Sequence, residues 1–419
     1  MDRPGAGMNN EILFISHRMP FPPDRGDKIR SHHILKRLAA LAPVHVATFA
    51  DDERDLAEEV ELAAIARSYR LVRRVKPLIV AGMQSLVQRV PVSLPAFANA
   101  ELASYIEQVL RERQIGTIFV FSGQMGQYIP AWFNGRVVFD FVDVDSAKFE
   151  AYADRDTGLR RWINAREARL LRAEEERQAR RAAISLLVSA EEAALFRLRL
   201  SPEAAATCDV RALRNGIDSK FFDPATVRPA ARMMEHAGPK LIFTGQMDYA
   251  PNIEAALRMI ERLMPWIRAH RPDATFHVVG RNPPDELTRF DGQDGIHVWG
   301  GVDDIRTWLA AADMAVVPLE IARGVQNKVL EAMAMALPVV LTSAAAAGIG
   351  GADGKHFAVA DSDDALVDRI SAFLSHSRLG ATIGKAARRH VVDNLSWQAS
   401  LALLPEMLGI GEARKRNAA

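Results

Sequence analysis

The stretch Met314–Leu341, MAVVPLEIARGVQNKVLEAMAMALPVVL, decides how the chain is read. Met314-Ala315-Val316-Val317-Pro318-Leu319 is a short unbroken apolar run, the pattern of a strand buried on both faces. Gly324 opens a segment of good helix formers, Val325 to Ala336. Leu337-Pro338 stops it, and Val339-Val340-Leu341 begins another strand. A glycine loop that feeds a helix from a strand end is a natural anion site, because unpaired amides and the helix dipole both favour negative charge there. Lys328 adds a positive charge in the first turn. Asn327 and Lys328 precede Glu331 by four and three residues, so the three share one helix face. A cation and a carboxylate on one face suit a ligand with a diphosphate and a hydroxylated ring. An ordinary βαβ unit with solvated charges carries the same pattern, so both readings stand at this point.

Outward from this stretch, short apolar runs alternate with longer amphipathic segments, which argues for parallel α/β layers. Strands are expected at Ile12–Ile15, Val44–Phe49, Thr117–Phe121, Val137–Val142, Ile184–Val188 and Val210–Leu213. Helices are expected at 29–41, 55–68 and 99–113, and a long charged one at 157–182. A second series has strands at Lys240–Thr244, Thr275–Val279, His297–Trp299, Met314–Val317 and Val339–Leu341. At 419 residues the chain exceeds what one core usually organises. We therefore expect a first Rossmann-like domain at 1–222, a linker at 223–239, a second such domain at 240–380, and a helical segment at 381–419 that returns toward the first. Two such layers predict a cleft where ligands sit.

Composition narrows the function. The net charge of +1 gives no global argument for nucleic acid. The single cysteine, Cys208, leaves no internal disulfide and fits a reducing compartment. No apolar run is long enough for a membrane span, and MDRPGAGMNNEILFIS has a short β-like run in place of a secretion-signal core. A soluble cytoplasmic protein is the expectation, with peripheral membrane contact possible through Arg67, Arg70, Arg73, Arg74 and Lys76. Those cations interleave with Tyr69, Leu71 and Val72; a solvated helix end would look the same.

Several loops at predicted strand ends carry candidate groups. Met19-Pro20-Phe21-Pro22-Pro23-Asp24-Arg25-Gly26-Asp27-Lys28-Ile29-Arg30 is stiffened by prolines, and Gly26 permits close backbone approach before a helix. Lys28 and Arg30 read either as groups for phosphate or an anionic acceptor, or as solvated basic residues of a turn. Gly245-Gln246-Met247-Asp248-Tyr249-Ala250-Pro251-Asn252 follows the first strand of the second series. Arg281 ends Val278-Val279-Gly280-Arg281. Gly300-Gly301-Val302-Asp303-Asp304 precedes a helix, with Asp303 read as its N-cap and Trp299 and Val302 as pocket lining. Asn215-Gly216-Ile217-Asp218, with Phe222, reads as a turn in which Gly216 takes positive φ and the aspartate caps. His17, Ser122 and Gln124 lie where the first sheet would present polar groups. Asp143-Val144-Asp145 is the Asp-x-Asp form that can hold a divalent cation.

Taken together, the glycine followed by LEAMA and PVV resembles the donor-site signature of family-4 retaining glycosyltransferases, which have the two-domain GT-B architecture. The usual form is E-x7-E; here Glu331 matches the second glutamate and Arg323 stands in place of the first. The NGID element with Phe222 also resembles that family. The GQMDYAPN loop, the NKVLEA run and the PFPPDRGDKIR loop together resemble a narrower group, the sugar transferases of bacterial exopolysaccharide and exosortase (PEP-CTERM) systems.

The resemblance implies a nucleotide-sugar donor, and Glu331, Lys328 and Arg323 as the catalytic set. Gly26, Gly245, Gln246, Arg281, Gly324, Val325, Asn327 and Val302 would contact the donor. It implies no metal or other cofactor, a lipid-linked saccharide acceptor, and a C-terminal helix with Trp397 crossing back to the first domain. The family's usual arginine–lysine pair is absent: Gln246 sits where the arginine would be. Diphosphate neutralisation then falls on Lys328, Arg323 or Arg281. A sugar-nucleotide epimerase of the same architecture and a non-catalytic sugar-nucleotide-binding protein are the alternatives.

Overall fold

The structure, a computed structural model, describes residues 11–322 and 325–410. The chain forms two compact units: one runs to Asn215 and takes in the chain from Leu401 onward, the other is Gly216–Ser400.

The first unit is built on a seven-stranded sheet of β1 (Glu11–Ser16), β2 (Val44–Ala50), β3 (Ser68–Arg73), β4 (Ile115–Phe121), β5 (Arg136–Val142), β6 (Ile184–Leu187) and β7 (Val210–Ala212). The order is β3-β2-β1-β4-β5-β6-β7, and every pairing is parallel. The helices used below are α1 (Gly26–Ala39), α2 (Leu78–Gln88), α3 (Ala100–Glu112), α4 (Asp145–Arg155) and α5 (Gly158–Arg181). Ile12 to Ile15 are fully buried, because helices cover both faces of a parallel sheet. The C-terminal segment packs here: Met407 and Leu408 are buried, and the Arg136 guanidinium donates to Met407 O at 2.7 Å.

The second unit has a six-stranded sheet of β8 (Lys240–Thr244), β9 (Thr275–Val279), β10 (Ile296–Gly300), β11 (Met314–Val317), β12 (Val339–Leu341) and β13 (Ala358–Val359). Its order is β10-β9-β8-β11-β12-β13, again all parallel. Leu241 and Ile242 of β8 pair with Met314 and Ala315 of β11. Connections from β8 run outward one way and those from β11 the other, so the order reverses between these two strands. That is where ligands bind in open parallel sheets, beyond the strands' carboxyl ends. Helices α6 (Ala250–Leu257) and α7 (Asn327–Ala334) leave this edge, and α8 (Ser377–His390) lies further along the chain. The α/β, two-sheet GT-B class expected from the sequence is the fold found.

Some local expectations change. The single helix at 55–68 is two short ones, Glu53–Ala57 and Glu59–Ile65, followed by the edge strand β3. Tyr69 to Val72 pair with β2 instead of ending a helix. The cations at 67–76 are mostly engaged: Arg70 with Glu101 at 3.2 Å, Arg73 with Glu53 at 2.7 Å, and Arg74 with Asp51 at 2.8 Å. Lys76 donates to Pro95 O and Ala98 O.

Residues 223–239 pack within the second unit, where Met233 is fully buried and the Ala230 N–H donates to Thr307 O at 2.8 Å. The chain instead passes between units at Asn215–Gly216 and Ser400–Leu401. Gly216 is not among the positive-φ glycines; a Cβ there would lie 2.4 Å from Trp397 N, so close backbone approach is what demands glycine. Asp218 does cap its turn, accepting from Lys220 N and Phe221 N.

Lys28 and Arg30 do not face a ligand. Lys28 is buried against Asp55 at 2.7 Å. Arg30 is fully buried, reaching both oxygens of Asp140 at 2.9 and 3.0 Å, and also Leu213 O and Asn215 Oδ1. A buried fork–fork pair with its remaining donors satisfied ties α1 to β5 and to the end of the unit. Arg30→Met would strand the Asp140 carboxylate without a cation. We predict a loss of ~3–5 kcal/mol from the first unit's urea transition, partly recovered by adding Asp140→Leu. An unchanged transition would contradict the pair's structural role.

Candidate functional site

The reversal point of the second sheet gathers the charged groups singled out in the sequence. β8 ends at Thr244 and runs into Gly245; α6 follows, with Pro251 in its first turn. β11 ends at Val317, and α7 begins at Asn327, two residues later than the helical pattern suggests, because Gln326 takes an extended N-cap conformation. At the far end Ala336 adopts φ 59° and the Leu337 N–H donates to Ala332 O at 3.0 Å, which closes the helix before Pro338. Lys328 thus lies in the first turn of α7, and its ammonium donates to Asn252 Oδ1 in the first turn of α6. It also lies 4.6 Å from the Phe243 ring centroid. Asn252 is buried and donates from Nδ2 to Gln246 O at 2.8 Å. One asparagine therefore fixes the glycine loop and the lysine together. Its place in GQMDYAPN was visible, but not its role, since no periodicity links residues 76 positions apart.

Glycine is required at the centre of this arrangement. A Cβ on Gly245 would stand 2.9 Å from Asn252 Nδ2 and 3.1 Å from Lys328 Nζ, and one on Gly280 would stand 1.6 Å from Gly245 O. The loops after β8 and β9 consequently lie flush.

The electrostatics are set by burial. Lys328 and Glu331 are partly buried side chains one helical turn apart. Desolvation lowers the Lys328 ammonium to about 8, against the opposing pull of Glu331. It raises the Glu331 carboxyl to about 7, against the pull of Lys328. A lysine short of negative charge and a carboxyl short of positive charge can together accept an anion and hydroxyl groups.

The other expected donor contacts are distributed around this centre. Gln246 is exposed in the glycine loop. Arg281 is exposed on the neighbouring loop, with its carbonyl accepting from Met247 N at 2.8 Å. Asn327 is exposed at the start of α7, and Val325 is exposed near Gly348, where an added Cβ would meet Val325 Cγ2 at 3.0 Å. Val302 packs partly buried against the second core. Trp299 is committed elsewhere, its indole N–H donating to His277 Nδ1 at 3.0 Å. The N-cap before the helix at Ile305 is Asp304, not Asp303, because Asp304 accepts from Arg306 N. Arg323 and Gly324 lie outside the described residues.

In the first unit Gly26 begins α1 in the open, with nothing within 4 Å of an added Cβ. His17 stacks on Phe121 at 5.8 Å and lies 3.4 Å from Asp27. Ser122 donates to Gln124 Oε1 at 2.6 Å, so these two hold each other. The Asp143 and Asp145 carboxylates share the Lys148 ammonium at 2.8 and 3.1 Å, which places a cation where a metal would have to sit. Among the described residues no group of three or more His, Cys, Asp or Glu side chains is arranged to hold a metal ion.

Residues 238–376, which contain the whole of this site, match the family described as glycosyl transferases group 1. No curated protein sequence matches the chain. Among solved structures it is similar to a glycosyltransferase from Rickettsia africae, at 13% identity over 96% of this chain and 98% of that one, with a TM-score of 0.62. Sucrose-phosphate synthase from Thermosynechococcus elongatus aligns at 16% identity over 97% and 98% of the two chains, with a TM-score of 0.56. HepE from Anabaena, in complex with UDP and glucose, aligns at 15% identity over 95% and 99%, with a TM-score of 0.57.

Two predictions follow from the packing and the charges. Gly245→Ala pushes Asn252 and Lys328 off their positions; affinity for inorganic pyrophosphate by calorimetry should fall about tenfold, ~1.4 kcal/mol, with the fold intact. For Glu331 the folded value of about 7 lies above the unfolded carboxyl. Its contribution to stability is therefore fully present below the ordinary glutamate range and is lost as pH rises through about 7. Wild type should lose thermal stability relative to Glu331→Gln between those limits; parallel melting profiles would contradict the shift.

Proposed function

We propose that the chain transfers a glycosyl group from a nucleotide-sugar donor, held on the second unit, to a saccharide acceptor. The observation that carries this is the desolvated Lys328 ammonium beside Glu331 at the reversal point of the second sheet, inside the segment that matches glycosyl transferases group 1. When the bond between the sugar and the diphosphate breaks, negative charge grows on the departing phosphate. A fixed ammonium at that oxygen stabilises the transition state more than the ground state. Glu331, one turn along, accepts from vicinal hydroxyls of the donor ribose. Arg281, Arg323 and the amides near Gly324 share the remaining charge of the diphosphate.

The finer parts rest on the family resemblance. Transfer proceeds with retention, through no metal and no protein-bound cofactor. The acceptor is a lipid-linked saccharide in exopolysaccharide assembly, met at the cytoplasmic face of a membrane. HepE in complex with UDP and glucose, a structural relative, supports a nucleotide-sugar donor.

The test is a panel of UDP-, GDP- and ADP-hexoses incubated with a lipid-linked oligosaccharide extract, followed by nucleoside diphosphate release and product mass. We expect one donor to give diphosphate and a product one sugar heavier, with Lys328→Met slower by about 100-fold or more. Donor epimerised without acceptor, or donor bound without diphosphate release, would overturn the reading.

A further inference from the structure

Helix α2 is inside out. Leu78, Ile79, Val80, Met83, Leu86 and Val87 are all exposed, Ile79 to 79% and Val87 to 85%, while its buried positions are the small Ala81 and Ser85. The helix LIVAGMQSLVQ contains no charged side chain. Val75, just before it, is 76% exposed. An ordinary surface helix turns its apolar side to the core and its charges outward. Here the arrangement is reversed over three turns.

A second element also exposes apolar residues. Leu159, Trp162 and Ile163 of α5 are exposed and lie at i, i+3 and i+4. Arg166, three residues further on the same stripe, donates to both Ser85 Oγ and Ser85 O of α2. Glu167 accepts from Val92 N just past α2. These bonds tie the two helices together at Ser85, and each helix exposes more apolar residues than single scattered surface hydrophobics would.

The surrounding charge selects the occupant. Arg89 ends α2, and Arg160 and Arg161 flank the α5 stripe; all three are exposed and carry no ion pair among the described residues. From Arg73 to Val92 the chain has no Asp or Glu. A charge-free apolar helix rimmed by unpaired arginines matches a surface that is greasy within and anionic at its boundary. No described helix is long and apolar enough to cross a membrane. An 11-residue helix lying along a bilayer is the alternative use of such a face. We infer that α2 and the first turns of α5 form a face that inserts shallowly into an anionic lipid surface. It gives the membrane approach proposed above a specific location, in place of the ion-paired cations at 67–76, and rests on that reading only for its purpose.

The test uses the full chain without donor or acceptor, floated with phosphatidylcholine vesicles with and without phosphatidylglycerol. Wild type should float with the phosphatidylglycerol vesicles, and Ile79→Glu/Val87→Glu should bind at least about tenfold more weakly with unchanged melting. Arg89→Glu/Arg160→Glu/Arg161→Glu gives the same loss by the electrostatic route and serves if the first variant misfolds. Quenching of Trp162 by brominated lipid, lost in Trp162→Phe, places the face in the bilayer. Equal flotation of wild type and both variants overturns the inference. So does a wild-type dimer that ignores vesicles and dissociates on substitution, which would make the patch a contact between copies. Vesicle binding without sugar transfer would leave this face standing while removing the proposed activity.

Discussion

The second unit is organised around an ammonium that has been taken out of water without being given a full counter-charge at contact. Lys328 meets a neutral amide oxygen, an aromatic face and a carboxyl one turn away that is itself raised to about 7. Each element nearby serves that placement. β8 and β11 run side by side, so that their helices start from the same edge; Asn252 spans them; Gly245 leaves the room that any side chain would take. Desolvating a lysine disfavours its charged form, and an anion placed beside it restores what burial removed. Local destabilisation of this kind is expected where a site is organised for a charged ligand rather than for the fold's own stability.

The first unit treats its charges in the opposite manner. Arg30 and Lys28 are as deeply buried as its apolar core, yet each is matched by a carboxylate. Such matched charges hold secondary structure in register and are unavailable to a ligand. The contrast between a matched arginine and an under-matched lysine is what separates framework from candidate site in this chain.

Much of this was legible in the sequence. The central strands are near-continuous apolar runs because they are buried on both sides, so β1, β4, β5, β8, β9 and β11 stand out. The i, i+3 spacing of Lys328 and Glu331 placed them together on one helix face. What escaped were facts that depend on pairing across the fold. The PFPPDRGDKIR loop shows a lysine and an arginine, but not that Asp55 and Asp140 wait for them. Ser68–Arg73 looks like a charged helix end because an edge strand is half exposed and alternates weakly. Gly216 is a glycine for the sake of the Trp397 backbone, a constraint from the other end of the unit. Helix α2 was passed over although Ile79, Met83, Leu86 and Val87 keep helical spacing; that this apolar stripe faces outward is a property of the fold, which spacing alone does not reveal.

The most direct test of the central claim is to observe the lysine itself. In 13Cε-lysine NMR spectra, with the resonance assigned by loss in Lys328→Arg, the free protein should titrate near about 8. With a saturating nucleoside diphosphate, UDP, GDP or ADP tried in turn, the same resonance should stay protonated to well above that pH, as the bound diphosphate supplies the missing negative charge. A resonance that titrates like an exposed lysine, or one that none of these diphosphates moves, would contradict the account.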